Sequence, residues 1–181
     1  MANATSNLLT DSMGSGPFVF DLPIKGSTHI YKGTLISQHS GGYVVPTTTS
    51  GGGPVIGVAQ HEQDASGSAT DGAKRVRVET CRMYAFTNGA TTDAFSDLSV
   101  IGKPAYALDD HTVADNSATA TLKCVGKFMG FESDGKVRVF VDPGYNRLVD
   151  ALNSLALLTD TPATADELRD NIVASIAAAM L

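Results

Sequence analysis

Short runs of β-branched and aromatic residues alternate with Gly, Pro, Asn and Asp from residue 17 to residue 142. Runs of this kind, bounded by turn-forming residues, predict β-strands. In KVRVFVD (136–142), three valines alternate with Arg138 and Phe140. Because successive side chains of a strand point to opposite faces, the valines are predicted to be core residues. Phe140 is then on the outer face, where it is either covered by the helices that follow or part of a contact surface.

The same pattern of strand and turn occurs twice. The hairpin sequence DGAKRVRVET has a later counterpart, DGKVRVFVD, and at an offset of 69 residues Gly33 aligns with Gly102 and Gly57 with Gly126. Only the loop before the Asp-Gly turn differs, being eight residues longer in the first copy. Coincident strand spacing would give a similar agreement. We favour an internal duplication of one small β unit.

Many short strands separated by regular turns are typical of a small barrel or sandwich. Gly33, Gly57 and Gly126 fall inside predicted strands, where glycine marks a bulge or a sharp bend. The sequence therefore predicts a mainly β fold, a small barrel or sandwich with two pseudo-repeated halves. An N-terminal arm precedes it and C-terminal α-helices follow it.

Composition divides the chain into three zones. Residues 1–16 form an arm, residues 17–142 form the β domain, and residues 143–181 form a helical tail. Within the β domain, the pseudo-repeats cover about 32–80 and 101–142.

The arm consists of small and polar residues, a composition that does not order itself. We expect contact with the chain's own sheet or with a neighbouring subunit to hold it, with Leu8 and Leu9 in the interface.

The tail changes from strand to helix spacing. Leu148, Leu152 and Leu155 recur at helical intervals after Asp142, a predicted N-cap, and Pro143, a residue suited to the first turn.

A second tail helix is predicted after the break LTDTPAT, because Thr164 and Glu167 form a capping-box pattern. Its apolar stripe consists of Leu168, Ile172, Val173, Ile176 and Met180. This helix packs either on its own barrel or against a partner.

Charge and length exclude two classes of partner. The 181-residue chain carries a net charge of −6 without a cluster of Lys and Arg, which argues against non-specific binding to nucleic acid. No apolar run approaches the roughly 18 residues of a membrane span, and the first residues lack the pattern of a signal peptide. Cys81 and Cys124 are expected to be reduced and buried, with a disulfide between them as the alternative.

Candidate chemistry is sparse. The four histidines lie in separate segments without the spacing of a metal-ligand pair. His61, Glu62 and Asp64 could coordinate a cation, although a polar loop of this composition needs none. SGGGP (50–54) leads into a strand rather than a helix, so it does not match a phosphate-binding loop. We therefore predict no catalytic residues, no cofactor and no metal, and expect that the protein is not an enzyme.

The stretches KGTLIS, YVVPTTTSGGGPVIGVAQHE and DGAKRVRVET resemble the capsid cement (decoration) proteins of tailed bacteriophages. The resemblance covers roughly residues 17–142 and concerns strand pattern rather than signature residues. It implies a small β-barrel-like protein on the outside of the virion head, made in the host cytoplasm, that clamps neighbouring major capsid proteins. Such proteins are usually homo-oligomers, most often trimers, although a dimer also fits. The tail from Tyr145 onward departs from the pattern.

The resemblance thus implies a structural virion protein that decorates and stabilises a capsid. The alternative is a receptor- or glycan-binding domain displayed on a virion, and a third possibility is a small hydrolase. The residues expected at interfaces are Leu8, Leu9, Phe140, Leu168, Ile172, Val173, Ile176 and Met180.

Overall fold

The structure of the protein is a computed structural model that describes residues 17–48, 52–116 and 122–158, with side chains as far as residue 154. Of the predicted interface residues, Phe140 lies within these ranges. The others, in the arm and in the second tail helix, lie outside the described residues.

The described part of the chain is mainly β, as predicted, and ends in one α-helix. The strands are β1 (Phe18–Pro23), β2 (His29–Ile30), β3 (Leu35–Gln38), β4 (Val44–Pro46), β5 (Val55–Ala59), β6 (Gln63–Asp64), β7 (Arg75–Thr80), β8 (Arg82–Asn88), β9 (Pro104–Ala107), β10 (Thr112–Ala114), β11 (Lys123–Phe131) and β12 (Val137–Val141). Short 3-10 turns cover Thr91–Asp93 and Leu98–Val100, and α1 covers Pro143–Leu158. This helix is not long and apolar enough to cross a membrane, and no other described helix is.

The two halves of the β domain have the same strand order. In the first half the order is β1-β7-β5-β3-β4, and a parallel bridge between Ile24 and Val44 joins its edges. In the second half the order is β8-β12-β11-β9-β10, and parallel pairing of Asn88 with Val113 closes the barrel. The two closing contacts occupy equivalent positions.

Strand registers also coincide. Ile36 faces Gly57 in the first half and Ala105 faces Gly126 in the second, and after each pair the register shifts at a β-bulge. Ile36 and Ala105 are 69 residues apart, as are Gly57 and Gly126, which is the predicted offset. The pseudo-repeat predicted from the sequence is therefore present in both strand order and register.

Two strand predictions need correction. Gly33, with φ of 85°, lies in the turn before β3 rather than inside a strand, and its N–H donates to the Ala59 carbonyl at 2.8 Å. The strand pattern of KRVRVETCRMYAF (74–86) predicts one continuous strand, but the strand is broken at Cys81, which has φ of 56°. Here β7 ends in the first half and β8 begins in the second, so this residue turns the chain from one half into the other.

The halves share part of their core. Ile24, Ile36, Val76 and Val78 belong to a cluster inside the first half. The larger cluster lies in the second half, where Val137, Val139 and Val141 are fully buried as predicted. It also contains residues from the outer face of the first half, namely Leu35, Val55 and Val58.

Helix α1 packs against the outer face of the second half. Asp142 caps it as predicted, since its Oδ1 accepts hydrogen bonds from the N–H groups of Gly144 at 3.1 Å and Tyr145 at 3.2 Å. Val149 joins a cluster with Tyr106 and Cys124. The helix thus covers strands β9 and β11.

Candidate interaction surfaces

A groove opens at one end of the first half, with a cavity of about 450 Å³. Among the described residues, β1 pairs along its length with β7, whereas its other edge meets β4 only through the bridge from Ile24. The groove lies at this gap. Its walls include Phe18, Phe20, Leu22, Tyr43, Ile56 and Thr80.

The alternation of β1 explains why the groove is apolar. Phe18, Phe20 and Leu22 occupy every second position and therefore share one face of the strand. Phe20 is nevertheless 47% exposed. Thr80 is buried, and its hydroxyl has no hydrogen-bond partner among the described residues. A partly exposed aromatic wall beside an unpaired buried hydroxyl is an incompletely filled site.

A ridge on α1 continues this groove. Gly144 lines the groove, and Leu148 and Leu152 follow it at intervals of four residues, so that all three lie on one helix face. Leu148 is 42% exposed and Leu152 is 47% exposed. The predicted leucine stripe therefore points away from the barrels as far as it is described. We call Leu148 and Leu152 the helix ridge.

A second apolar surface lies at the other end of β12. Leu98 (58% exposed), Ile101 (53%) and Met129 (39%) lie on neighbouring stretches of backbone. The Ile101 N–H donates to the Leu98 carbonyl at 3.2 Å, and Leu98 lies over Gly130, next to Met129. We call these three residues the end patch. Met129 is the bulge residue opposite Val139 and Arg138, three to four residues along β12 from Asp142 at the groove, so the two surfaces are roughly 10–14 Å apart along the strand.

Phe140 is half-buried on the outer face of β12. Its cross-strand neighbours are Met83 on β8, which is 53% exposed, and Lys127 on β11. The Lys127 ammonium lies 4.5 Å from the ring centre of Tyr145, so α1 reaches this face. Phe140 thus lies between a face reached by α1 and the exposed side chain of Met83.

A polar cluster at the junction of the two halves surrounds the buried residue Glu79. Its carboxylate accepts hydrogen bonds from the Tyr84 hydroxyl and, at 3.0 Å, from Arg82, while Gln60 donates to the Tyr84 hydroxyl at 3.2 Å. Burial, reinforced by the Glu79 carboxylate, raises the pKa of Tyr84 well above its usual value. These bonds join β5 and β7 to β8, which gives the cluster a role in holding the halves together.

Two surface groups have residue types that bind cations. Glu62 and Asp64 lie beside His29 rather than His61, with 2.9 Å between His29 Nε2 and Glu62 Oε1. Sequence reasoning missed His29 because it lies 33 residues before Glu62 and only strand pairing of β2 with β6 brings them together.

The second group is a turn. Asp109, Asp110 and His111 offer three ligand atoms within 4.8 Å of one another. Asp109 accepts hydrogen bonds from the N–H groups of His111 and Thr112, and a hydrogen bond to Asp110 raises the pKa of His111. These bonds explain the turn without an ion.

Both cysteines are free, as expected. Cys124 is buried, and burial raises the pKa of its thiol far above the usual value, so the thiol is unreactive. Cys81 is only half-buried, which corrects the prediction, and it lies at the groove.

Comparison with known proteins adds no relative to this description. Neither a protein-family model nor a curated protein matches the chain.

Proposed function

We propose that this chain is a non-enzymatic structural protein of a tailed-phage virion that binds the outer surface of major capsid proteins and stabilises the capsid. One observation carries the proposal. Large apolar side chains are exposed at two separated places on the β domain, the groove with the helix ridge and the end patch. Exposed apolar surfaces of this kind mark sites of protein–protein contact.

Two separate surfaces suit a protein that ties neighbours together. A clamp must contact at least two subunits, and several modest contacts on one body add avidity. The strand pattern that resembles cement proteins supports the same role. We assign the end patch to the capsid, because it lies on the second half and is separate from the groove and the helix ridge.

Addition to capsids tests this role. Purified protein is mixed with isolated, expanded phage heads that lack a decoration protein, and co-sedimentation and the disruption temperature of the heads are measured. We expect saturable binding and a higher disruption temperature. The double variant Leu98→Asp/Ile101→Asp should lose binding, because two charges would be buried at the contact.

Thr87→Asp is the matched control, since Thr87 is exposed on β8 and outside both apolar surfaces. It should bind as the unmodified protein does. Heads that neither bind the protein nor gain thermal stability would contradict the proposed function.

Glycan binding is the alternative that one observation favours. The Tyr31 ring is 55% exposed and stacks on His29 with 4.1 Å between ring centres, beside Glu62. An exposed aromatic ring can stack on a sugar face, while a neighbouring carboxylate accepts hydrogen bonds from the sugar hydroxyls. Glycan-array binding that Tyr31→Ala abolishes would support this alternative over capsid decoration.

A further inference from the structure

The second half contains a counterpart of the groove. The strand registers show which residues of the two halves correspond. The groove residues Phe20, Leu22, Val44, Ile56 and Thr80 correspond, in that order, to Tyr84, Phe86, Val113, Val125 and Val141. Of these counterparts, all except Tyr84 are at least 97% buried. The same cleft is therefore open in one half and filled in the other.

Aliphatic side chains from the first half pack in the buried cluster that contains the walls of the second cleft, together with Phe95 and Phe128 of the second half. Leu35, Val55 and Val58 belong to the same buried cluster as its walls. The Leu35 N–H also donates to the Asp110 carbonyl at the rim of this cleft, at 2.7 Å. The second cleft thus shows which groups a cleft of this shape can bind, namely uncharged branched side chains on the surface of the other half.

The second half of one copy cannot insert the equivalent side chains into the groove of another copy. The positions on β9 and β11 that correspond to Leu35, Val55 and Val58 are Pro104, Cys124 and Lys127. Helix α1 lies over this face, where the Cys124 N–H donates to Asp150 at 2.8 Å and Lys127 lies over Tyr145. The outward surface at this place is the helix ridge, which again presents aliphatic side chains.

No unpaired charge opposes contact between the ridge and the groove. The helix face that carries the ridge contains Gly144, Leu148 and Leu152, without an ionisable residue. The carboxylate at the groove, Asp142, already accepts two backbone hydrogen bonds as the helix cap. Contact between these surfaces therefore buries no unpaired charge.

We propose that the helix ridge of one copy of this chain seats in the groove of another copy. The occupant of the groove is a second copy, and the leucines of its ridge take the place that Leu35, Val55 and Val58 take in the second cleft. Ridge and groove meet at Gly144, so each copy offers both surfaces side by side. In a dimer with a two-fold axis, each ridge would seat in the groove of the other copy, so the contact would occur twice. Repetition brings two small contacts towards the roughly 800 Å² per partner of a specific interface.

The inference rests on the proposed function, because the resemblance to cement proteins implies a homo-oligomer, and it can fail separately. Its test uses no capsids, whereas the test of the function does. A monomer that binds heads would overturn the inference and leave the function standing. A protein that self-associates but does not bind heads would contradict the proposed function and leave the inference standing.

Sedimentation equilibrium of the full chain measures the association. We expect the double variant Leu148→Asp/Leu152→Asp and the groove variant Phe20→Asp each to raise the dissociation constant by about 100-fold or more, because charge would enter an apolar contact. Leu98→Asp/Ile101→Asp, with equally exposed residues in the end patch, is the control and should associate normally. Circular dichroism melting checks that each variant is folded.

A mixed disulfide tests the pairing itself. Chains carrying Cys81→Ser with either Leu148→Cys or Leu152→Cys are mixed with unmodified chains, whose Cys81 lies at the groove. Oxidation should link the two kinds of chain, and Leu98→Cys in place of the ridge cysteine should not. A monomeric unmodified protein, unchanged association of the ridge variant, or no mixed disulfide from either ridge position would overturn the proposal. Unchanged association would mean that another segment, such as residues 165–181, covers the ridge.

Discussion

Asn146 is a polar residue that is fully buried on the side of α1 that faces the barrels. Its Nδ2 donates to the carbonyls of Val55 at 3.1 Å and Val125 at 2.9 Å. Val125 is the extra residue of its β-bulge, and Val55 lies just before Ile56, the extra residue of the other bulge. One carboxamide therefore ties α1 to the bulges of both halves.

Replacing this side chain should be costly. We expect Asn146→Leu to lower the free energy of unfolding by about 2–5 kcal/mol, because two buried carbonyls lose their donor at about 1–3 kcal/mol each. Urea denaturation followed by circular dichroism measures the change. Asn153→Leu, on the same helix with a long 3.4 Å bond to the Tyr106 hydroxyl, is the control and should change stability little. Equal losses for both variants would contradict this role.

Asp150 gives a pH dependence with a definite sign. Burial raises the pKa of its carboxyl above 3.8, only partly offset by the hydrogen bond from the Cys124 N–H and by Lys123. Its Oδ2 has no partner among the described residues. A raised pKa means that the folded state binds the proton more tightly than the unfolded state. The contribution of Asp150 to stability is therefore greatest below pH 3.8 and declines as pH rises through the raised pKa.

Asp150→Asn tests this dependence, since the amide oxygen can still accept from Cys124 and carries no charge. We expect the variant to be at least as stable as the unmodified protein at pH 7, with the advantage disappearing towards pH 3.5. Chemical denaturation at a series of pH values provides the curve. A difference between the two proteins that does not change with pH would exclude titration of Asp150 as its cause.

At the scale of elements, the two bulges depend on glycine. A Cβ at Gly57 would lie 2.5 Å from the Glu79 carbonyl oxygen, and a Cβ at Gly126 would overlap the Phe140 carbonyl oxygen. Strands β5 and β7, and likewise β11 and β12, could not approach as they do with a side chain there. Gly57→Ala and Gly126→Ala should each lower the free energy of unfolding by about 1–3 kcal/mol. Gly67→Ala, which places its methyl in open space, is the control for the denaturation measurement.

These glycines also show what the sequence could predict. Gly57 and Gly126 are 69 residues apart because the same close approach of strands recurs in each half. Their spacing therefore predicted the repeat. The outward leucines of α1 could not be predicted. An apolar helical stripe normally faces the core, but here Asn146 and Asp150 face the barrels, since bulge carbonyls and the Cys124 N–H need polar partners.

The groove was also beyond prediction from the sequence. Its walls come from β1, the β3–β4 hairpin, β5 and the start of α1, and nothing local to any of these stretches indicates that they meet. Phe20 alternates along β1 in the same way as a core residue, and only the missing pairing between β1 and β4 leaves it exposed.

For the molecule as a whole, the shared core makes the two halves interdependent. Leu35 belongs to a first-half strand, yet it is fully buried in the cluster of the second half with Val137 and Val139. Buried contacts that cross the junction couple the unfolding of both units. We expect one cooperative transition, which Leu35→Ala shifts by about 2–5 kcal/mol in both halves at once.

Hydrogen exchange in urea distinguishes the halves. Amides of β7 and of β12 should lose protection at the same urea concentration in the unmodified protein, and at the same lower concentration in Leu35→Ala. Leu148→Ala removes an equally large but exposed side chain and should leave both unchanged when the protein is dilute and monomeric. Two transitions, with Leu35→Ala moving only that of β7, would mean that the first half folds by itself. The cleft of the second half would then be a docking site between independent barrels rather than part of one core.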